Sequence, residues 1–443
     1  MLKQVLPLSF IVALRFFGLF VVLPVISIYA LSLPGASGFL AGLVVGGYAL
    51  TQALFQVPFG VMSDKIGRKI TLTLGLIVFA IGSFVCAFSD NIYMLLVGRF
   101  LQGAGAIGAV VSATIADFVK EEQRGKAMAI MGATIALSFA AAMIVSPIIG
   151  GLWGIDKLFL LTALLALIAL AILFLKVPTP PTITHSYEGK KVTMADVFKD
   201  KSLVKMYITF LFHSSIMTMA FFIIPLVMTK GVEDGGFGWE KIDLWKVYLP
   251  AVIFGILAMG PAVVFGEKKE KGKLVFVVSI ALIATGFALM GFGGSVTLFI
   301  IGVVLFFMGF NMFEPLLQSF VSKLAKVHQK GAAIGVANTF GYTGIFLGGI
   351  AAGLMTQHLS VAHLATFVLA LCIGWLAWVA SMSNPNARAN LYIPLDQISL
   401  SQLKSLESHD AIVETYTNQS EQIAVIKYEK GLIDEEEIKA LLS

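Results

Sequence analysis

Four ionisable side chains stand inside long apolar runs of this 443-residue sequence: Arg15, Arg99, His213 and Glu314. Charge at hydrocarbon depth is costly, so such groups are rare and tend to serve ion pairing, proton relay or a substrate path. Glu314 is the one carboxylate among them, and the chemistry it best supports is gain and loss of a proton. Burial disfavours its charged form, while a nearby Arg15 or Arg99 would favour it, a balance that keeps a carboxyl titratable. Pro315 beside it can loosen the helix locally. Asn311, Glu314 and Gln318 follow i, i+3, i+7 spacing, one polar face of a helix. Arg99 and Gln102 likewise share a face. Plainer readings stand beside these. Arg99 could bond backbone carbonyls and hold a kink. His213, next to Ser214 and Ser215, could be a satisfied polar residue, or else the second proton carrier. Glu314 could sit in a fixed ion pair with an arginine.

The elements that must position these groups are membrane helices. The chain is 58% hydrophobic and 13% charged, against roughly 25% charged in soluble domains. Twelve stretches reach the length of about 20 apolar residues that a span needs. They lie near 5–31, 38–60, 70–89, 91–117, 126–152, 157–176, 203–228, 245–265, 273–293, 296–321, 332–356 and 361–383. The net charge of +5 is explained by orientation rather than nucleic acid. With the N-terminus inside, the inner side collects 21 lysines and arginines, and the outer side holds Lys157, Lys230, Lys241 and Lys246. That asymmetry predicts both termini in the cytoplasm. The first run has no small-residue cleavage site and reads as a retained helix rather than a signal peptide. Cys86 and Cys372 each lie in an apolar run, with neither disulfide nor metal-ligand spacing.

The two halves repeat. Phe59-Gly60 recurs as Phe265-Gly266, and Gln123-Arg124-Gly125 as Gln329-Lys330-Gly331, both offset by 206 residues. Leu23-Pro24-Val25 recurs as Ile224-Pro225-Leu226, offset by 201. This predicts two parallel six-helix bundles, 1–176 and 203–384, joined by a cytoplasmic linker at 177–202. After Pro385 the pattern changes to short alternating strands and amphipathic helices in the order β-α-β-β-α, with Asp434 capping the last helix. This tail, 385–443, carries ten acids and five bases and is expected to be a small cytoplasmic α+β domain.

Between the second and third spans lies Gly60-Val61-Met62-Ser63-Asp64-Lys65-Ile66-Gly67-Arg68-Lys69. The decapeptide resembles the loop signature of the major facilitator superfamily. Gly98-Arg99-x-x-Gln102-Gly103-x-Gly105 is similar to that family's second motif. Ser146-Pro147-x-x-Gly150-Gly151 is similar to its proton-antiporter motif, with Ser146 where the family usually has glycine. Together with the tail, Arg15 and the Asn311–Pro315 stretch, the chain most resembles the YajR group of drug-efflux-like facilitators, which carry a C-terminal ferredoxin-like domain. The resemblance implies an all-α facilitator fold of twelve spans plus that domain, and a cavity lined by spans 1, 4, 7 and 10, the spans that hold the four ionisable groups. It also implies a cytoplasmic latch of Gly60, Asp64, Gly67, Arg68, Lys69, Asp117 and Arg124, in which Asp64 faces the N-terminus of the eleventh span. Gly42-x-x-x-Gly46 and Gly344-x-x-x-Gly348 would let spans 2 and 11 approach closely.

The expected function is therefore secondary transport: proton-coupled efflux of a small molecule by alternating access, from the inner membrane. A proton-coupled uptake symporter and a membrane sensor signalling through the tail are the alternatives. No nucleotide-binding loop, catalytic constellation or metal cluster appears, so neither an enzyme nor a cofactor beyond the coupling proton is expected. The expected partners are the substrate and the bilayer. The chain is expected to work as a monomer, with an unpaired strand edge in the tail as a route to self-association. Two arginines against one glutamate lean away from a purely cationic substrate.

Overall fold

The computed structural model describes residues 2–119, 121–178, 197–326, 329–382, 384–406, 409–418 and 422–442. Most of the linker and the side chain of Arg124 lie outside the described residues. Among the described residues, eleven helices are long and apolar enough to cross a membrane, with the shorter apolar helix Gln4–Phe20 beside them.

The first span is two helices, α1 (Leu2–Phe20) and α2 (Ile26–Ser32), rather than the single run its hydropathy predicts. The break at 21–25 contains Pro24, whose ring cannot continue a helical ladder. The second and third spans are α3 (Gly38–Ile66) and α4 (Arg68–Ala87). The fourth is also divided, into α5 (Ile92–Ala104) and α6 (Gly108–Phe118). Then come α7 (Glu121–Leu152) and α8 (Ile155–Lys176). The second half holds α9 (Lys201–Thr229), α10 (Trp245–Val263), α11 (Gly272–Phe292), α12 (Val296–Leu324), α13 (Lys330–His358) and α14 (Val361–Ala380). Ser37, Asn91 and Ser295 cap α3, α5 and α12 by accepting from the N–H three residues on, which satisfies donors that would otherwise face the membrane edge unpaired. Large apolar side chains such as Leu54, Leu137, Leu175 and Ile373 point outward, as a lipid-facing surface requires.

The halves meet closely at one end and part at the other. An added Cβ on Gly42 would lie 2.2 Å from the carbonyl oxygen of Gly349, and one on Gly353 would lie 2.1 Å from that of Gly38. Gly151 of α7 packs on Ile242 of the second half, where an added Cβ would lie 2.8 Å from the Ile242 backbone. A layer of rings lies across the same junction. Phe139 of α7 is 5.2 Å from Phe20, 6.1 Å from Phe221 and 6.4 Å from Phe310, centroid to centroid. At the end that carries the loop motif, Gly60, Gly132, Gly331 and Gly335 meet nothing within 4 Å. One part of the expected helix contact is corrected. Gly344 and Gly348 face Leu211 and Ser215 of α9, while α3 meets Ile345, Gly349 and Gly353.

The tail is a three-stranded antiparallel sheet, β1 (Arg388–Pro394), β2 (Ile412–Asn418) and β3 (Ile423–Glu429), in the order β1-β3-β2. Its helices α15 (Leu400–Leu406) and α16 (Glu435–Leu442) cover a core that includes Leu391, Leu403, Ile426 and Ile438. Asp434 accepts from the Glu437 N–H at 2.8 Å, and Glu437 accepts from the Asp434 N–H at 3.1 Å. This reciprocal cap fixes the start of α16. The tail is docked on the second half. Lys427 Nζ donates to the Ala325 carbonyl at 2.6 Å, and Arg388 donates to the Leu324 carbonyl at 2.6 Å and to Asp200 at 3.0 Å. Both carbonyls belong to the C-terminal end of α12, where free acceptors and the helix dipole favour cations.

Candidate functional site

His213 on α9 and Glu314 on α12 form one pair. The imidazole is 3% exposed, and its Nε2 lies 3.3 Å from Glu314 Oε1, whose side chain is 51% exposed. The ring stacks on Phe310 with centroids 4.4 Å apart and planes 1° from parallel, and Phe313 lies 5.3 Å away. Because Phe310 also meets Phe139 of the first half, the pair sits directly against the aromatic layer that closes the junction. His213 Nδ1 has no hydrogen-bond partner. The expected polar face of α12 is therefore split. Asn311 turns inward, donating to the Phe307 carbonyl at 2.8 Å and filling the gap left by Gly255. Glu314 and Gln318 are exposed, and Gln318 donates to Asn338 of α13 at 2.8 Å.

The arginines lie elsewhere. Among the described residues neither forms a salt bridge with Glu314, whose ion-pair partner is His213. Arg99 is fully buried and is held mostly by backbone. It donates to the carbonyls of Val44 at 3.0 Å and Val45 at 3.5 Å, and to Gln102 at 2.7 Å, over the Tyr48 ring at 4.5 Å. Gln102 passes the chain on to Ser83 at 3.0 Å. This network joins α5 to α3 and α4, and two of its acceptors are backbone carbonyls, partners of the kind that the plainer reading of the sequence gave Arg99. Gly103 makes the packing feasible, since a Cβ there would lie 1.8 Å from the Tyr48 carbonyl.

Arg15 is also fully buried, yet poorly satisfied. It donates to Gln52 at 3.2 Å and lies 5.2 Å from the Phe79 ring, while its Nε and Nη1 have no partner. Gln52 in turn donates to the Tyr342 hydroxyl of α13 at 2.6 Å, so a polar chain crosses from one half to the other. Sequence reasoning missed Gln52 and Tyr342. The signal was a glutamine within an apolar run one turn below Tyr48, legible once α3 and α13 are known to be adjacent.

The loop motif is assembled within the first half. Arg68 donates to Asp117 at 2.9 Å, to Asp64 at 2.5 Å and to Ser63 at 2.6 Å, and Lys69 donates to the Val177 carbonyl at 3.0 Å. Gly67 adopts φ +98°, a conformation that favours glycine. In this conformation Asp64 pairs with Arg68, its side chain 65% exposed, and among the described residues no bond joins it to the N-terminus of α13. The antiporter-like motif is at the closed end. Pro147 lies within α7, Ser146 is buried with its hydroxyl unpartnered, Gly150 packs against Leu158 and Ile155, and Gly151 meets Ile242.

Two six-helix halves, closed at one end around buried polar groups and open at the other, are the framework of a membrane transporter. The chain belongs to the Major Facilitator Superfamily, whose family model matches residues 8–349. It is 34% identical over 438 residues to the inner membrane transport protein YajR of Escherichia coli K12, covering 98% of this chain and 95% of that protein. It is 27% identical over 366 residues to the quinolone resistance protein NorA of Staphylococcus aureus, covering 80% and 90% of the two. Among solved structures, the nucleoside transporter NupG superposes with a TM-score of 0.69 at 15% identity, over 84% of this chain and 98% of that one, a likeness of fold. The family, YajR and NupG are named for transport, and the chain is a transporter of that family rather than an enzyme.

Proposed function

We propose that the chain is a proton-coupled exporter of a small molecule in the inner membrane, with both termini cytoplasmic and His213–Glu314 carrying the proton. The observation behind this reading is the asymmetry of that pair: a half-exposed carboxylate bonded to an imidazole buried against the closing aromatic layer. Water reaching the open end meets Glu314 first. Protonation of Glu314 removes the negative charge that faces His213 Nε2, so the contact between α9 and α12 weakens. The rocking of bundles 1–176 and 203–384 then follows from changed packing at Phe310, which bridges the pair and the opposite half. With the loop motif in the cytoplasm, the present state is inward-open, and the latch of Asp64 and Arg124 engages α13 in the other state. Efflux is supported by the antiporter-like motif at Pro147, placed at the closed end, and by the likeness to a quinolone resistance protein. Arg15, with its Nε and Nη1 unpartnered and no acidic partner among the described residues, favours an acidic group on the substrate.

The test is a substrate screen in proteoliposomes under an imposed pH gradient, read by internal pH. Export coupling moves protons opposite to substrate. Movement in the same direction would identify uptake, and substrate binding with no coupled proton flux would identify a sensor.

A further inference from the structure

A second polar site lies outside the transport path, where the tail meets the body. A cavity of about 290 Å³ opens there between α12, the start of α13 and strands β1 and β3. Most charges in its wall are already matched. Glu267 is held by Lys323 and Ser319, Glu270 by Lys430, and Arg388 by Asp200 and Glu429. Two lysines differ. Lys427 is 3% exposed and donates to a neutral carbonyl, that of Ala325, with Glu414 of β2 opposite it in the sheet and Asp200 acting on it through space. Lys330, the first residue of α13, has no acidic partner among the described residues, and Ser322 adds a hydroxyl to the same wall.

We propose that this cavity binds a phosphate-bearing anion, gripped between Lys330 on α13 and Lys427 on the tail. The chemistry fits each part. Each ammonium has three donors, and Lys427 uses one on Ala325, so it can offer a further N–H to a phosphoryl oxygen. The first turn of the 29-residue α13 supplies free amides and the positive end of a helix dipole beside Lys330. Burial first, then Arg388 and Lys330, push the pKa of Lys427 down to about 8, against smaller opposing pulls from Glu414 and Asp200. A dianion between the two lysines would relieve their mutual repulsion. A bound anion ties the tail to the ends of both α12, which carries Glu314, and α13, whose far end closes against α3. The phosphate could be a soluble one or a lipid headgroup, since basic pockets at the cytoplasmic ends of spans suit both.

The experiment uses the full-length protein, purified in detergent and stripped of lipid, and follows thermal unfolding. Inorganic phosphate is titrated against sodium chloride at matched ionic strength, and phosphatidylglycerol against phosphatidylcholine. A saturable rise in Tm with phosphate, weakened about tenfold in apparent affinity by Lys330→Gln, supports a soluble ligand. A rise with phosphatidylglycerol alone, blunted by the same substitution, supports a headgroup. Lys427→Gln should remove either effect. Should that variant unfold or lose its tail, Lys330→Gln, at the edge of the cavity, still decides. The proposal is overturned if neither anion exceeds its control, or if Lys330→Gln leaves the shift intact.

Discussion

His213 and Glu314 share one contact of 3.3 Å but lie on opposite sides of a solvent boundary, the imidazole 3% and the carboxylate 51% exposed. A hydrogen-bonded pair in that position can be reached by water from one side, at the carboxylate, without hydrating the ring. The stack of His213 on Phe310 and the contact of Phe310 with Phe139 then give any movement of the pair a direct route to the opposite bundle.

Glu314→Gln keeps the shape of the side chain and removes its titration. The variant should insert normally, bind substrate and exchange it downhill, yet fail to accumulate it under a pH gradient. Retained uphill accumulation in proteoliposomes would place the proton elsewhere.

His213→Phe should behave differently. Phenylalanine preserves the stack on Phe310 but cannot bond the carboxylate, so Glu314 remains free to take a proton without its partner. Expected is coupled transport with a displaced pH profile and a rate reduced about 10–100-fold, the effect of losing one charge-assisted bond. An unchanged pH profile would show that the ring serves packing alone.

Sequence disclosed depth better than direction. Glu314, His213, Arg15 and Arg99 could be placed inside spans because apolar length sets membrane position. Their partners could not, because those depend on how each helix is rotated about its axis. Glu314 therefore meets His213 rather than an arginine, and Asn311 turns away from it toward Gly255. The same limit applies to α13. Gly344 and Gly349 are five positions apart, so they point to different neighbours, and spacing alone did not say which one faces α3. Local features read more cleanly. The cap at Asp434 requires only Glu437 three residues away. The break at Pro24 was present in the sequence too, but hydropathy averages over single prolines and shows one continuous span.

Docking of the tail should depend on pH through Lys427. Burial first, and then Arg388 and Lys330, hold its pKa near 8, against an ordinary 10.5. Below about 8 the docked lysine is charged and bears the whole penalty. Between about 8 and 10.5 the undocked tail binds a proton that the docked one has released, so docking strengthens as pH rises across that window. Limited proteolysis of the tail should slow from pH 7.5 to pH 9.5, and Lys427→Met should flatten the trend. Faster cleavage at the higher pH would contradict the assignment.

The last prediction concerns closure of the end opposite the loop motif. There α3 and α13 touch through backbone, and a Cβ on Gly42 would sit 2.2 Å from the Gly349 carbonyl oxygen and 2.9 Å from its carbon. Neither atom can rotate away, because both belong to the helix ladder, so even alanine forces the helices apart. Overpacking of this kind costs about 1–3 kcal/mol. The cost is confined to the conformation in which these helices meet, since separation of the halves at this end removes the clash. Gly42→Leu should therefore shift the population away from the present state by roughly 5- to 150-fold, with insertion and expression unchanged. A cysteine introduced at Gln357, whose side chain accepts from the Phe39 N–H at 3.2 Å across the same junction, reports the shift. It should label faster from the outer side in the leucine background than alone. Equal labelling, with transport intact, would mean that the halves accommodate the side chain and that this contact does not set the conformational balance.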